Sequence, residues 1–420
     1  MLISAFAISP CRGSEYGVGW NIVTRLAKYH DVTVLYGDMW EVQEIRKEVE
    51  DWIGNNGPIP GLTFEYVPQG RIGCAFFRLS HHFKPLVFLY YTAYRFWHMS
   101  AHKHALFLHC RHPFDLVHIL TYVGYREPGY LWKLPIPLVW GPIAGAENVP
   151  WKYFSLLSLS SKWRYSIRNI MNTLQMRGIG NIKNTAKVAS HIWAATDEDR
   201  NLVEKRWGHR VELLPETGTD PQKLNGRPRS FDGSRPLVAI WSGLHDGRKA
   251  LPIVLQAMAR LAVPDRVRLV VLGSGSETNM WKAQAIKLKV SHLVEWCGHL
   301  PLHVAQQKMD QGDIFVFTSI KEASSTVVME ALSLGLPVVC HNACGMKNIV
   351  DPSCGILVPM VDPRTSAKGF CNALQRLLSD PTLVTRLSRG AIQKREEFTW
   401  DKKVRTISDT YRKVAAFTGK

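Results

Sequence analysis

The chain contains two successions of short apolar runs alternating with helically periodic segments, and this alternation constrains its fold more than any other feature. In the first, the run from Met1 to Ser9 breaks into RGSEYGVGW at 12–20. A periodic segment from Trp20 to Tyr29 follows, then the apolar run Val32–Tyr36. Strand, glycine turn, helix and strand in that order open a parallel α/β layer, whose strands are buried on both faces and so read as continuous apolar runs. Further strands are predicted at Leu116–Leu120, Pro137–Trp140, His191–Ala195 and Val211–Leu214. The stretch GTDPQKLNGRPRSFDGSRP, 218–236, is rich in glycine, proline and charge and reads as a linker. After it the pattern restarts. Strands are expected at Leu237–Trp241, Val267–Leu272, His292–Trp296, Ile314–Thr318 and Pro337–His341, with helices at Ala250–Arg260, Thr278–Leu288 and Thr326–Leu334. The closing segment Asp401–Phe417 carries apolar residues at i, i+3 and i+4 and reads as a helix. The 420 residues suit two domains of about 200 each. The expected organisation is a first domain over 1–217, the linker 218–236, a second domain over 237–398, and a terminal helix over 399–420.

Fifty-two Lys and Arg against 35 Asp and Glu give a formal charge of +17, a field that favours anionic partners: nucleotide phosphates, nucleic acid or an anionic membrane surface. Two segments concentrate it. No acidic residue occurs from Arg71 to Phe114 or from Asn148 to Thr196, and both interleave cations with aromatic rings. That composition suits a membrane interface, and equally suits helices packed on the domain with solvated lysines. No RNA-reading motif accompanies the charge, which disfavours nucleic acid. The eight cysteines show no CxxC pair and no zinc-like spacing, as in a reducing compartment. No secretory signal opens the chain and no apolar stretch is long enough to span a bilayer, so a cytoplasmic protein is expected.

Several segments could carry chemistry. Gly13, Gly17 and Gly19 follow the first strand and leave backbone close to whatever occupies that edge; they also serve a plain tight turn. This is not GxGxxG, and no acidic residue ends the next strand, so a dinucleotide site is weakly supported. Arg248 and Lys249, in SGLHDGRKAL at 242–251, lie between a strand and a helix, at the sheet edge where such folds bind ligands. Two cations there could neutralise a pyrophosphate. LGSGSE at 272–277 leaves another strand on Gly273 and Gly275, whose amides could approach a phosphate or simply make a turn. In EASSTVVME, Glu322 and Glu330 stand eight apart, with Ser324, Ser325 and Thr326 at the helix start between them. Free first-turn amides suit a phosphate, and carboxylates suit ribose and sugar hydroxyls. In the bland alternative Glu322 is solvated and Ser325 only caps the helix. His118 ends DLVH and, as a neutral imidazole, could hydrogen-bond a sugar hydroxyl or leaving phosphate. The other histidines lack metal spacing, and no metal site is expected.

Together these motifs resemble a retaining glycosyltransferase of the glycogen-synthase-like class, often called family 4, over nearly the whole chain. RGSEYGVGW is similar to that family's N-terminal glycine loop, and WGPIAGAE at 140–147 to its acceptor-side segment. SGLHDGRKAL is similar to its diphosphate-holding segment, with Lys249 matching the lysine. The fullest match is Glu322 and Glu330 followed by ALSLGLPVV and the CG pair at 344–345. The resemblance implies the α/β GT-B fold: two Rossmann-like domains facing across a cleft, with the C-terminal helix crossing back to the first. It implies a nucleotide-sugar donor, held mainly by the second domain, and no cofactor or metal. It also implies retention of anomeric configuration, with the leaving diphosphate helping to deprotonate the acceptor. Glu322, Lys249, Arg248 and His118 would be catalytic. Gly17, Gly19, Gly273, Gly275, Ser324, Ser325, Thr326 and Glu330 would hold the donor. The acceptor is expected to be a saccharide or lipid-linked saccharide in bacterial surface polysaccharide assembly, and the enzyme to sit peripherally on the inner face of the cytoplasmic membrane. This chain departs from the family pattern at Leu244, where Arg is usual, in EASS for EGFG, at Cys344 for glycine, at Asn348 for Glu, and at His118 and Leu120 for HxH. The alternatives are a same-fold phosphorylase or epimerase, or a non-catalytic basic protein that binds membrane or nucleic acid.

Overall fold

The computed structural model describes residues 1–38, 44–83, 89–177, 180–224 and 226–418. They form two units. The first comprises residues 1–146, 174–216 and the chain end from Trp400; the second comprises 147–173 and 217–399.

The first unit is built on a seven-stranded sheet. Its strands are β1 (Leu2–Ala5), β2 (Val32–Tyr36), β3 (Leu62–Tyr66), β4 (Val117–Thr121), β5 (Leu138–Ile143), β6 (Ala189–Ala194) and β7 (Glu212–Leu213). The order is β3-β2-β1-β4-β5-β6-β7, and every pairing is parallel. The registers Ile3↔Val34 and Ile3↔His118 place β1 between β2 and β4. The first helix, Ser14–Leu26, starts six residues before the expected Trp20, so Gly17 and Gly19 are helical and do not form a turn. Gly19 is required there by packing: a Cβ would lie 2.4 Å from the Ala7 carbonyl oxygen. The terminal helix, Trp400–Thr418, packs in this unit. Val404, Ile407, Tyr411 and Val414 join Ile22, Val23 and Leu26 in one buried cluster, the outcome of an apolar stripe at helical spacing.

The second unit repeats the topology. Strands β8 (Leu237–Ser242), β9 (Val267–Leu272), β10 (Val294–Gly298), β11 (Ile314–Phe317), β12 (Val338–His341) and β13 (Gly355–Val358) form a parallel sheet in the order β10-β9-β8-β11-β12-β13. Both sheets therefore have the 3-2-1-4-5-6 order of a doubly wound fold, which reverses direction between the first and fourth strands. With the terminal helix packed on the first unit, this is the GT-B architecture. The expected helix Ala250–Arg260 is broken: a short turn at Gly247–Lys249 ends on Ala250 in the left-handed region, and the helix proper runs Pro252–Met258 with proline in its first turn.

Two segments pack differently from their sequence reading. Residues 218–236 are largely built into the second unit. Phe231 is in its core, Arg229 pairs with Asp310 at 2.6 Å, and Arg235 pairs with Asp313 at 2.6 Å. Residues 147–173, inside the segment assigned to the first domain, also belong to the second unit. Val149, Tyr153, Leu157 and Tyr165 lie in its core. Among the described residues no helix is long and apolar enough to cross a membrane. All eight cysteines are free thiols.

Candidate functional site

In a parallel sheet the carboxyl ends of the strands share one edge, and the reversal between two central strands opens a crevice there. In the second unit this reversal lies between β8 and β11. The loop after β8 carries Arg248 and Lys249, and the loop after β11 carries Glu322. The side chains meet. Lys249 Nζ donates to Glu322 Oε2 at 2.7 Å, Arg248 Nη1 to the same oxygen at 3.0 Å, and Ser319 Oγ to it at 2.9 Å. Lys249 and Glu322 are nearly covered. Burial alone would raise the Glu322 carboxyl, but Lys249 and Arg248 outweigh it and hold the group below its ordinary value. Burial draws the Lys249 ammonium below its ordinary value, against the pull of Glu322. Glu322 is thus an ionised carboxylate under two cations.

The turn that delivers these cations is fixed by residues the sequence reading passed over. Asp246 caps it by accepting from the Arg248 amide at 3.1 Å. It is itself held by Arg164 at 2.7 Å and by the Tyr165 hydroxyl. Thr318 Oγ1 donates to the Lys249 carbonyl at 2.9 Å and accepts from Trp241 Nε1.

Ser324 and Ser325 are buried, and Ser325 is the N-cap of the helix Thr326–Ser333. Its side chain makes no capping hydrogen bond, so the first-turn amides are not taken by it. Glu330, one turn along that helix, accepts from Gln306 Nε2 at 3.1 Å. Burial raises its carboxyl above the ordinary value, with Gln306 and Lys223 opposing. The CG pair packs beneath this loop. A Cβ on Gly345 would lie 1.7 Å from the Ala323 carbonyl oxygen, while Cys344 holds φ +55 where a glycine would be unstrained.

Gly273 and Gly275 lie at the same edge, but their amides are engaged internally. The Gly273 amide donates to the Gly298 carbonyl at 2.7 Å and the Gly275 amide to Thr278 Oγ1 at 3.0 Å. Their lack of side chains serves a close backbone approach: a Cβ would stand 2.0 Å from the Gly243 carbonyl at one and 2.6 Å from the His245 carbonyl at the other.

His118 requires correction. It lies within β4, fully buried, with both ring nitrogens engaged: Nδ1 with the Tyr411 hydroxyl at 2.6 Å and Nε2 with the Gly141 carbonyl at 2.6 Å. The carbonyl can only accept, so Nε2 carries the proton and Nδ1 accepts from Tyr411. Burial lowers this imidazole to about 4. In the neutral ring no nitrogen is left for a sugar. The strand is covered on both faces, so a histidine there links β4, β5 and the terminal helix.

Glu15, which the sequence reading did not single out within RGSEYGVGW, lies at the reversal of the first sheet. Its Oε1 accepts from the Val123 amide after β4 at 3.2 Å. Burial raises this carboxyl to about 7. Tyr122, just beyond β4, lies with its ring 6.4 Å from that of Tyr90. Gly17 and Gly19 lie on the same first helix, within its amino-terminal half. Among the described residues no group of three or more His, Cys, Asp or Glu is placed to hold a metal ion.

Comparison with known proteins places these features in context. Residues 228–394 match the family described as "Glycosyl transferases group 1". A stretch of 243 residues is 28% identical to a D-inositol 3-phosphate glycosyltransferase of Streptomyces bingchenggensis, covering 53% of this chain and 52% of that protein. The chain thus spans about half the length of the curated relatives it matches. The fold is similar to that of Anabaena HepE, solved with UDP, at a TM-score of 0.60 and 15% identity over 98% of this chain and 99% of that one. It is also similar to the lipopolysaccharide outer core galactosyltransferase WaaB, at a TM-score of 0.62 and 13% identity over 100% of both chains.

Proposed function

We propose that this GT-B chain, whose second unit carries a group 1 glycosyl transferase domain, transfers a sugar from a nucleoside diphosphate donor to a hydroxyl acceptor. The observation that carries this reading is the convergence of Arg248, Lys249 and Glu322 at the strand reversal of the second sheet.

Arg248 and Lys249 bind the diphosphate and stabilise the charge it gains on leaving. Donors fixed in a partly desolvated site contribute several kcal/mol (order of magnitude) of transition-state stabilisation. The first-turn amides behind Ser324, Ser325 and Thr326 add backbone donors to a phosphate, and Glu330 accepts from the ribose hydroxyls. Glu322, restrained by its cations, presents its remaining oxygen to sugar hydroxyls. Gly273 and Gly275 act by shaping the adjoining loop. With these cations supplying the counter-charge, transfer proceeds without added metal. Departure of the diphosphate on the face the acceptor attacks retains the anomeric configuration, and a departing phosphate oxygen takes the acceptor proton.

The first unit takes the acceptor, with Glu15 and the Gly17–Gly19 helix at its strand reversal. A lipid-linked saccharide of surface polysaccharide assembly fits the cation-rich, acid-free segments 71–114 and 148–196, which favour an anionic membrane face. UDP is the first nucleotide to test, since Anabaena HepE was solved with it.

The test is release of nucleoside diphosphate from a panel of UDP- and GDP-sugars in the presence of chelator, with proton NMR of the product anomer. Acceptor-dependent release with retained configuration supports the reading. A folded protein that turns over no donor, or that requires divalent metal, contradicts it.

A further inference from the structure

The helix Leu159–Gln175 is amphipathic in the inverted sense. Its inward side is polar and bonded to the second unit. Ser161 Oγ donates to Glu277 Oε1 at 2.6 Å and the Tyr165 hydroxyl donates to Asp246. Asn169 clasps the Val149 backbone, accepting from its amide at 3.1 Å and donating to its carbonyl at 2.7 Å. Asn172 donates to Asn148 at 2.8 Å. The outward side is apolar: Leu159 is 83% exposed, Trp163 73% and Ile170 56%, with Ile167 and Met171 beside them. At about 100° per residue these five share an arc of about 120°. Lys162 borders that arc on one side, and Arg164, which is turned to Asp246, on the other.

An ordinary surface helix turns its apolar stripe inward. Here four buried polar side chains fix the opposite orientation, so the apolar face is held out by specific hydrogen bonds. A contiguous exposed patch of this kind marks an interaction surface. Lys162 beside this face, in a stretch from 148 to 196 that carries seven Lys and Arg and no acidic residue, favours an anionic occupant. Tryptophan and branched aliphatics flanked by Lys and Arg are the chemistry of a helix lying in a bilayer interface.

We infer that the outward face of the helix Leu159–Gln175 docks this protein on an anionic lipid surface, with Trp163, Ile167 and Ile170 entering the headgroup region and Lys162 meeting lipid phosphates. This deepens the membrane reading above and names its contact surface. The helix also holds the Arg248–Lys249 turn through Tyr165 and Asp246, so the docking element and the diphosphate clamp share one rigid support.

Vesicle flotation tests it, with phosphatidylcholine vesicles compared against phosphatidylcholine mixed with phosphatidylglycerol. The wild type binds only the mixed vesicles, and less so as salt rises. Trp163→Ser with Ile167→Ser weakens binding about tenfold or more, and Lys162→Gln about fivefold. Both variants keep the wild-type melting temperature, since the altered side chains face outward. Wild-type binding unchanged in the Trp163/Ile167 variant overturns the inference, as does absence of vesicle binding by the wild type. Sedimentation showing that the wild type self-associates and the variant does not also overturns it, because a second copy is then the occupant. Nucleotide binding is read separately, so loss of the docking surface and failure of the transferase reading give different results.

Discussion

The ammonium of Lys249 and the Oε2 of Glu322 lie 2.7 Å apart, delivered by the loops that follow the two central strands of the second sheet. This buried pair occupies the crevice that the strand reversal creates, and Arg248 shares the same oxygen. In the proposed donor site, the phosphates of a nucleoside diphosphate would offer these two cations more negative charge than one carboxylate does.

Removing the carboxylate tests how the pair is balanced. Glu322→Gln leaves Lys249 buried without its counter-charge, and breaking a buried pair from one side costs about 3 kcal/mol or more. Urea unfolding should show that loss. Saturating nucleoside diphosphate should restore part of it, because the ligand's phosphates replace the missing charge.

Glu330 should show opposite effects on stability and function. Its carboxyl is raised by burial, so the folded state binds the proton more tightly than the unfolded state. Stability then falls as pH climbs from the ordinary carboxylate range through the raised folded value. Glu330→Gln removes that loss, and its melting temperature at pH 8 should exceed that of the wild type. The same variant should bind nucleotide about tenfold more weakly, because a charge-assisted hydrogen bond to the ribose is gone. Thermal melts across pH and a nucleotide titration check both halves.

Much of this architecture was legible because central parallel strands are apolar throughout. Val32–Tyr36 and Val267–Leu272 have the boundaries expected, and the other expected strands lie within a few residues. The unforeseen strands, Leu62–Tyr66 and Gly355–Val358, lie at sheet edges; in the first, partial exposure admits Thr63 and Glu65, which break the apolar run, and the second is a run of only four residues. The paired residues of the site were readable as motifs. Their supports were not, since Tyr165 and Asp246 lie 81 residues apart and Gln306 and Glu330 24. Gly17 and Gly19 read as a turn because glycine usually breaks a helix; the close approach to Ala7 that requires Gly19 exists only after β1 and the helix have packed.

The CG turn predicts two opposite outcomes from neighbouring positions. Cys344 sits at φ +55, where an L side chain costs about 1 kcal/mol, so Cys344→Gly should be neutral or mildly stabilising. Gly345→Ala places a Cβ against the Ala323 carbonyl and must displace the loop that carries Glu322. Its unfolding free energy should drop by about 2 kcal/mol or more, and nucleotide binding should fall with it.

Glu15 makes the first unit pH-sensitive. Its carboxyl is raised from 4.5 to about 7 by burial, with the Val123 hydrogen bond opposing. The folded state therefore retains a proton that the unfolded state has released, and stability falls as pH rises between those two values. Glu15→Gln keeps an acceptor for the Val123 amide without the charge. Its melting temperature should match wild type near pH 4 and exceed it at pH 8. A variant that loses stability at pH 8 would show that the ionised carboxylate is the favoured form.

The central claim is that the loops after β8 and β11 bind a nucleoside diphosphate. Calorimetric titration of the purified protein with UDP and with GDP, in chelator, tests it most directly, alongside Lys249→Met. The account predicts micromolar binding of one of the two and its loss in the variant, since a neutral side chain cannot offset the diphosphate charge. A folded wild type that binds neither nucleotide, or a Lys249→Met protein that binds as tightly as wild type, would contradict it.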